Sequence, residues 1–436
     1  MLAGTAKLDI TPTQSVWMDG MIRSHRSVGV HDPLFARALV LGELADPSQM
    51  LAIVSAEVCA LGDRDSQAAR QAVAAQTGIS EQRVIIATTH THSGPATFGY
   101  FSPAEVAYTE QLCQQLAALV AQAAGNTEPA AVGCASGREE TISNYRRLLA
   151  DDGHVVMNWE EYPPEHIVDP LGEADPEVGV LKVAAAEDPR KVICLLFNHA
   201  GHPNVMSGDN YLLSADYPGV AARLLEHEHR ATAIFVNGAQ GSVDIDGLRH
   251  RDWEGMERAG AALARAVTET ARAITPTPNA ALRTAAVSYT VPARIITDQE
   301  WAWAQEVLRR TGGTVQALAD GVGEDYKAVL LRELRQAQGR GIPVEQICFA
   351  IGDAAFITFP GELYTEIGMR IKAQSPFRRT YIMGLANGQI GYVPTRKAIA
   401  EGGYAEEVRR AEGSAEEMVV RQSLALLGKV RALSGE

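Results

Sequence analysis

Along this chain the apolar positions fall into short unbroken runs, and four of these stop abruptly at a polar cluster. Val84-Ile85-Ile86-Ala87 leads into Thr88-Thr89-His90-Thr91-His92-Ser93-Gly94-Pro95. Val192-Ile193-Cys194-Leu195-Leu196-Phe197 leads into Asn198-His199-Ala200-Gly201-His202-Pro203. Ala233-Ile234-Phe235-Val236 leads into Asn237-Gly238-Ala239-Gln240-Gly241, and Ala355-Phe356-Ile357-Thr358-Phe359 into Pro360-Gly361-Glu362. Runs of this kind read as strands buried on both faces, and sheets of such strands are covered by helices. Helical spacing predicts those helices at Ala104–Ala124, Tyr217–His227, Asp252–Ile274 and Glu362–Lys372. Pro218-Gly219 fits the first turn of the second of these. The expected class is therefore α/β, with mixed, largely buried sheets covered by helices and an active site at the carboxyl ends of strands.

The stretch from about 294 to 341 differs in character. Gln299–Arg310 and the highly charged Ala319–Gln338 read as two helices separated by Gly312-Gly313. They form a helical hairpin laid on the outside of one catalytic domain spanning 1–436, with a lid or a dimer contact as its functional readings. Ser414–Leu433 is a further amphipathic helix that packs on the core. No internal repeat or low-complexity tract interrupts the pattern.

Composition narrows the function classes. At 436 residues, with 46% hydrophobic and 21% charged positions, the chain can bury a large core. A net charge of −14 argues against nucleic acid or an anionic membrane surface as partner. The opening residues lack the basic and apolar regions of a signal peptide, and no apolar stretch approaches the roughly 18 residues of a membrane span. Cys59, Cys113, Cys134, Cys194 and Cys348 are scattered and odd in number, which suits reduced thiols. These features predict a cytoplasmic protein without a membrane anchor that acts on a small molecule. A homo-oligomer is left open.

Two histidine pairs stand out because they follow buried strands and are bounded by Gly or Pro. In an extended segment residues i and i+2 point the same way, so His90 and His92 can face one site. His199 and His202 are three apart, and Pro203 stops a helix from continuing. One of that pair, with His202 favoured, reads as a ligand and the other as a supporting or structural residue. Two neutral imidazoles from separate strands plus one carboxylate make a catalytic Zn2+ site with an open position. Glu362 fits as that carboxylate, and equally as a first-turn glutamate favoured by the helix dipole.

The Thr-His-Thr-His-Ser-Gly-Pro stretch resembles the N-terminal catalytic domain of the neutral/alkaline non-lysosomal ceramidases. Further stretches resemble that family in the same order: Lys7–Pro12, His31–Ala38, Asn198–Pro203, Ser214–Gly219, Phe359–Glu362 and Asn387–Thr395. The resemblance spans nearly the whole chain. It implies zinc ligands at His90, His202, Glu362 and Tyr392, and a histidine close to the reacting centre at His92. It also implies a substrate-contacting arginine at Arg146, or at Arg147 with a one-residue shift, and a second active-site tyrosine at Tyr404.

Two departures limit what the resemblance implies. The family's Gly-Asp-Val-Ser-Pro type motif appears here as Gly241-Ser242-Val243-Asp244-Ile245-Asp246, with aspartate and serine exchanged. Little of the chain follows Thr395, so the family's C-terminal immunoglobulin-like domain is not expected. Both weaken ceramide as the substrate and leave the metal site untouched.

The expected reaction is zinc-dependent hydrolysis of an amide by a metal-activated water. His92 and Arg146 would stabilise the oxyanion, assisted by Tyr392, and His92 or Glu57 would pass a proton to the leaving group. Asp244 and Asp246, with Asp216, define an alternative zinc-dependent hydrolase acting on a glycosidic or cyclic polar substrate. A non-catalytic, metal-stabilised binding protein is the third reading.

Overall fold

A computed structural model describes residues 1–42, 46–245, 251–278 and 280–433. Among the described residues, eight strands form the larger sheet: β1 Leu2–Asp9, β2 Phe35–Gly42, β3 Leu51–Ala56, β4 Val84–Thr88, β5 Glu128–Arg138, β6 Glu177–Ala185, β7 Val192–His199 and β8 Thr232–Asn237. Their spatial order is β8-β7-β6-β5-β1-β2-β3-β4. A second sheet is built from β9 Leu282–Pro292, β10 Gly341–Ile351, β11 Ala354–Thr358 and, beyond a two-residue strand β12 Glu362–Leu363, β13 Arg379–Met383. Most neighbours are antiparallel, but β3/β4, β7/β8 and β11/β13 run parallel. These parallel pairs gather the polar clusters at their common carboxyl ends.

The alternation of side chains explains why strands with no polar face are stable. On β2, Ala36, Ala38 and Val40 pack in one cluster with Val73 of helix α1 (Asp63–Thr77) and with Leu112 and Leu116 of helix α2 (Val106–Gly125). The intervening Leu39 and Leu41 join the second sheet's Ile347, Phe349 and Phe356. On β7, Leu195 and Phe197 meet α3 (Asp216–His229) and α4 (Trp253–Arg272), while Cys194 and Leu196 face the second sheet. On β10, Cys348 and Ala350 turn away to Leu426 and Leu427 of the C-terminal helix Ala415–Ala432. The result is four layers, helices on sheet on sheet on helices. Each fully buried Leu, Ile or Phe contributes roughly 1.5–3 kcal/mol to such a core.

The hairpin is α5 (Asp298–Thr311) and α6 (Glu324–Ala337). Thr297 and Glu300 close a capping box at the start of α5. The second helix begins five residues later than its charge pattern predicts, after Gly321 at φ +68°. It is not laid loosely on the outside, because Leu330, Leu331 and Leu334 pack with Ala304, Val307 and Ile22 in a cluster of their own. Among the described residues, no helix is long and apolar enough to cross a membrane, and all five cysteines are free thiols.

Where β1 crosses the end of α2, Gly4 allows a backbone approach that no side chain permits. A Cβ there would lie 2.2 Å from the Ala123 carbonyl oxygen and 2.8 Å from the Thr127 nitrogen. Both are main-chain atoms and neither can swing aside. Gly4→Ala is expected to destabilise the protein by about 1–3 kcal/mol, seen as a lowered thermal midpoint. An unchanged midpoint would show that the layers slide freely.

Candidate functional site

The four polar clusters meet at one end of the sandwich, and buried amides hold them there. The Asn198 side-chain amide donates to the carbonyls of Val236 (2.9 Å) and Ile382 (2.8 Å), joining the two sheets. Asn237, fully buried, donates to the carbonyls of Gly201 (2.8 Å) and Thr89 (3.3 Å), so it touches both histidine loops. Leu385 and Asn387 bond along β4 through Thr88 N–H to the Leu385 carbonyl (3.2 Å) and Asn387 N–H to the Ile86 carbonyl (2.8 Å). That brings the Tyr392 segment beside the segment of His90. Asn237 escaped the sequence reading, although the polar cluster it opens was visible.

His90 does not lie in extended backbone as its i, i+2 spacing with His92 predicts. Its φ is +74°, so it turns left-handed immediately after β4, and the shared direction of the two rings arises from this turn. Thr91 secures the turn by donating to the Ser214 carbonyl at 2.7 Å and accepting from Ser93 N–H at 3.1 Å. The His92 N–H donates to the Pro203 carbonyl, one residue beyond His202.

The rings of His90, His92 and His202 stand edge to face, with centroids 4.7–4.9 Å apart. His90 Nε2 is 3.2 Å from His202 Nε2, 3.3 Å from His92 Nε2 and 3.3 Å from Glu362 Oε2. The other nitrogen of His90 lies 2.9 Å from the Cys59 carbonyl oxygen. A carbonyl only accepts, so Nδ1 carries the proton and Nε2 offers a lone pair to the centre. Glu362 Oε1 accepts from Gln389 Nε2 at 2.9 Å, leaving Oε2, which has no hydrogen-bond donor, aimed at the same point.

These atoms fit a small tetrahedral cation. Ligands about 2.0–2.1 Å from such an ion stand roughly 3.3–3.4 Å from one another, close to the spacing from His90 to His202 and to Glu362. The electrostatics agree. Burial depresses the His90 imidazole, but Cys59 and Glu362 outweigh it and raise its pKa well above the ordinary value. Burial and the neighbouring His90 charge hold His92 and His202 well below theirs. Burial would raise the Glu362 carboxyl, yet His90, Arg146 and Gln389 bring it below the usual range. The Glu362 carboxylate thus favours a positive charge beside it, the role a bound cation would fill.

Glu362 reaches this point from a strand, not from the first turn of a helix. Glu362-Leu363 pairs in parallel with Tyr392-Val393, and the helix begins only at Thr365. The N–H groups of Glu362 and Tyr364 are spent sideways on the carbonyls of Gly391 and Val393. Register therefore sets Tyr392 directly beside Glu362. Tyr392 lines the same cavity as His90, His92 and Glu362, and its ring is edge-on to Tyr404 at 5.9 Å. Burial, then the Glu362 charge, raises the Tyr392 phenol far above its usual pKa.

Arg146 and Arg147 separate cleanly. Arg146 donates to the Gly241 carbonyl at 2.7 Å and lies 5.0 and 5.5 Å from the ring centres of Tyr392 and Tyr404. Arg147 pairs instead with Glu401 (3.1 Å) and Glu406 (3.2 Å). His199 is also turned elsewhere, 3.3 Å from the Glu177 carbonyl and 3.4 Å from Ser143 Oγ. Ser242 Oγ accepts from the Thr365 N–H at 2.9 Å and caps that helix. Glu57 is bound to Arg37 and the Phe35 N–H, so its carboxylate is committed away from the histidines.

Asp244 is buried, with Oδ2 3.8 Å from Arg251 Nη2, and burial raises its carboxyl above the ordinary value despite Arg251 and Arg146. Asp246 lies outside the described residues. Asp216 sits at φ +59° and accepts from the N–H groups of Val205 (3.0 Å) and Tyr217 (2.6 Å), tying the His202 loop to the start of α3.

A cavity of about 40 Å³ lies over the cluster, lined by Gln389 and Tyr392 together with aromatic and aliphatic side chains. Residues 1–245 match the family model described as neutral/alkaline non-lysosomal ceramidase, N-terminal. The fold is similar to that of a neutral ceramidase from Pseudomonas aeruginosa, with TM-score 0.74 and 17% identity over 99% of this chain and 74% of that one. It is also similar to a ceramidase complexed with C2, with TM-score 0.75 and 19% identity over 99% and 75%.

Burial raises Asp216 to about 7 from 3.8, which gives a signed expectation. Below about pH 4 folded and unfolded chains both hold the proton and the full contribution is present. As pH rises from about 4 to 7 the unfolded chain releases it first, so stability falls on the order of a few kcal/mol, then levels. Asp216→Asn cannot ionise. Its unfolding free energy relative to the natural protein should rise between pH 4.5 and 7.5, measured by urea denaturation. A pH-independent difference would contradict the assignment.

Proposed function

Because the chain belongs to the neutral/alkaline non-lysosomal ceramidase family, we propose that it is a zinc-dependent hydrolase cleaving the amide bond of a small polar or amphiphilic N-acyl compound. The observation that carries this reading is the convergence of His90 Nε2, His202 Nε2 and Glu362 Oε2 at ligand spacing. Nitrogen and carboxylate donors together suit zinc better than calcium or magnesium, which take oxygen. Tyr392, paired in register with Glu362, is the proposed fourth ligand.

A bound zinc supplies Lewis acidity and an acidified water at neutral pH. The remaining work falls to side chains. Arg146 is held in place through Gly241 and directs a fixed positive charge at the carbonyl oxygen, whose negative charge grows in the transition state. Tyr392, as the proposed fourth ligand, stands beside the same oxygen, and Tyr404 packs edge-on against it to fix the ring. His92 stays neutral at physiological pH, with its ring at the cavity surface, and carries the proton to the departing amine. The apolar walls exclude bulk water.

The glycosidic alternative keeps one supporting observation, the buried Asp244 carboxyl with its raised pKa. Asp244→Asn separates the readings: a modest loss fits a polar support, whereas loss of nearly all turnover with zinc retained favours acid catalysis.

Metal analysis tests the central claim. The purified protein should carry about one zinc, and His90→Ala or His202→Ala should lose it together with roughly three orders of magnitude in kcat. Normal activity in zinc-free variants would end this reading. Gln389→Leu, which removes the donor to Glu362, should weaken zinc binding about 10- to 100-fold in chelator competition while the fold persists. Unchanged affinity would show that Gln389 is only packing.

A further inference from the structure

The cavity over the histidine cluster has an apolar wall with one cation in it. Phe98, Phe101, Tyr326 and Leu330 form much of that wall, the last two from α6, and Arg410 stands among them. Arg410 also lines an adjoining outer cavity bounded by the same four residues. Arg410 therefore stands at the boundary between the two cavities. Among the described residues lining the inner chamber there is no lysine and no second arginine.

Arg410 is held ready on three sides. Its stem packs over Gly391, where a Cβ would lie 3.7 Å from Arg410 Cδ. Its guanidinium lies 4.0 Å from the centre of the Tyr100 ring. Nη2 pairs with Glu333 Oε2 at 3.2 Å, but the Glu333 side chain is 50% exposed. A half-exposed ion pair contributes little and yields readily to a better-placed acceptor. The planar fork of donors, oriented by the aromatic face beneath it, matches a carboxylate. A wall meant only for a hydrocarbon chain would be better made with leucine or methionine, because a guanidinium among aromatics loses hydration.

We infer that Arg410 is a specificity-determining residue, and that the substrate is an N-acyl compound bearing a carboxylate on the part that faces the cavity mouth. The carboxylate replaces Glu333 on Arg410, while the apolar part of the substrate lies against Phe101, Tyr326 and Leu330. This inference rests on the amide-hydrolase reading and sharpens its substrate class.

Two matched pairs of probes test it with the zinc-loaded protein. One pair places the charge on the acyl part, N-succinyl against N-butyryl 4-nitroanilide. The other places it on the amine part, N-acetylphenylalanine against its neutral amide. In at least one pair the carboxylate should raise kcat/KM roughly tenfold to a hundredfold, the range expected of a charge-assisted contact. Arg410→Gln should erase that preference through KM, with the zinc content unchanged. Glu333→Gln removes the competing carboxylate and should lower KM for the charged probe. If Arg410 served only as a surface tie, Glu333→Gln would leave the preference as it was, and the inference fails. It fails equally if the natural protein turns over the neutral members as well as the charged ones. Should no N-acyl probe be hydrolysed at all, the amide-hydrolase reading falls and this inference falls with it.

Discussion

The centre of this molecule holds atoms that repel one another. His90 Nε2 and His202 Nε2, 3.2 Å apart, both face a carboxylate oxygen that no N–H or O–H satisfies. Lone pairs in that arrangement are stable only around a positive charge, and bringing them there before any cation arrives costs free energy. The surrounding structure reads as the means of imposing that cost. Asn198 bolts one sheet to the other, Asn237 joins the two histidine loops, and Gln389 fixes the free rotation of Glu362. Each of these amides is itself buried and hydrogen-bonded, which is how a polar network becomes rigid.

Much of this was legible in the chain, because strands that end in His, Asn or Glu announce both the layer and the site. The runs ending at His90, His202, Asn237 and Glu362 are strands or follow them directly, and their clusters meet. What was not legible depends on pairing between distant segments. A strand apolar on both faces looks the same whether helices or a second sheet cover it, so the four-layer arrangement left no trace in periodicity. Tyr392 stands beside Glu362 through a two-residue parallel pairing too short to give a pattern. The left-handed backbone at His90 is a local choice made by contacts to Val58 and Ser214, which lie far off in sequence. Arg146 and Arg147, adjacent and identical, were distinguishable only once their directions were known.

The hairpin of α5 and α6 shows how charge can mislead. Its density of Glu and Arg suggests a solvated appendage, yet Tyr326 and Leu330 come from its inner stripe and wall the chamber. The polar face meets water and the apolar face meets the ligand space, so one amphipathic helix serves as both surface and pocket.

The division of donors between early and late segments of the chain bears on how the protein is made. His90 and His202 belong to the segment that matches the family model, whereas Glu362 and Tyr392 come from strands added more than a hundred residues later in the chain. A ribosome emitting this polypeptide exposes both imidazoles long before the carboxylate exists. The early segment lacks the anionic half of the centre, so on the proposed zinc reading capture of the ion would wait for nearly complete synthesis. Metal loading would then report that the early and late segments have been assembled correctly.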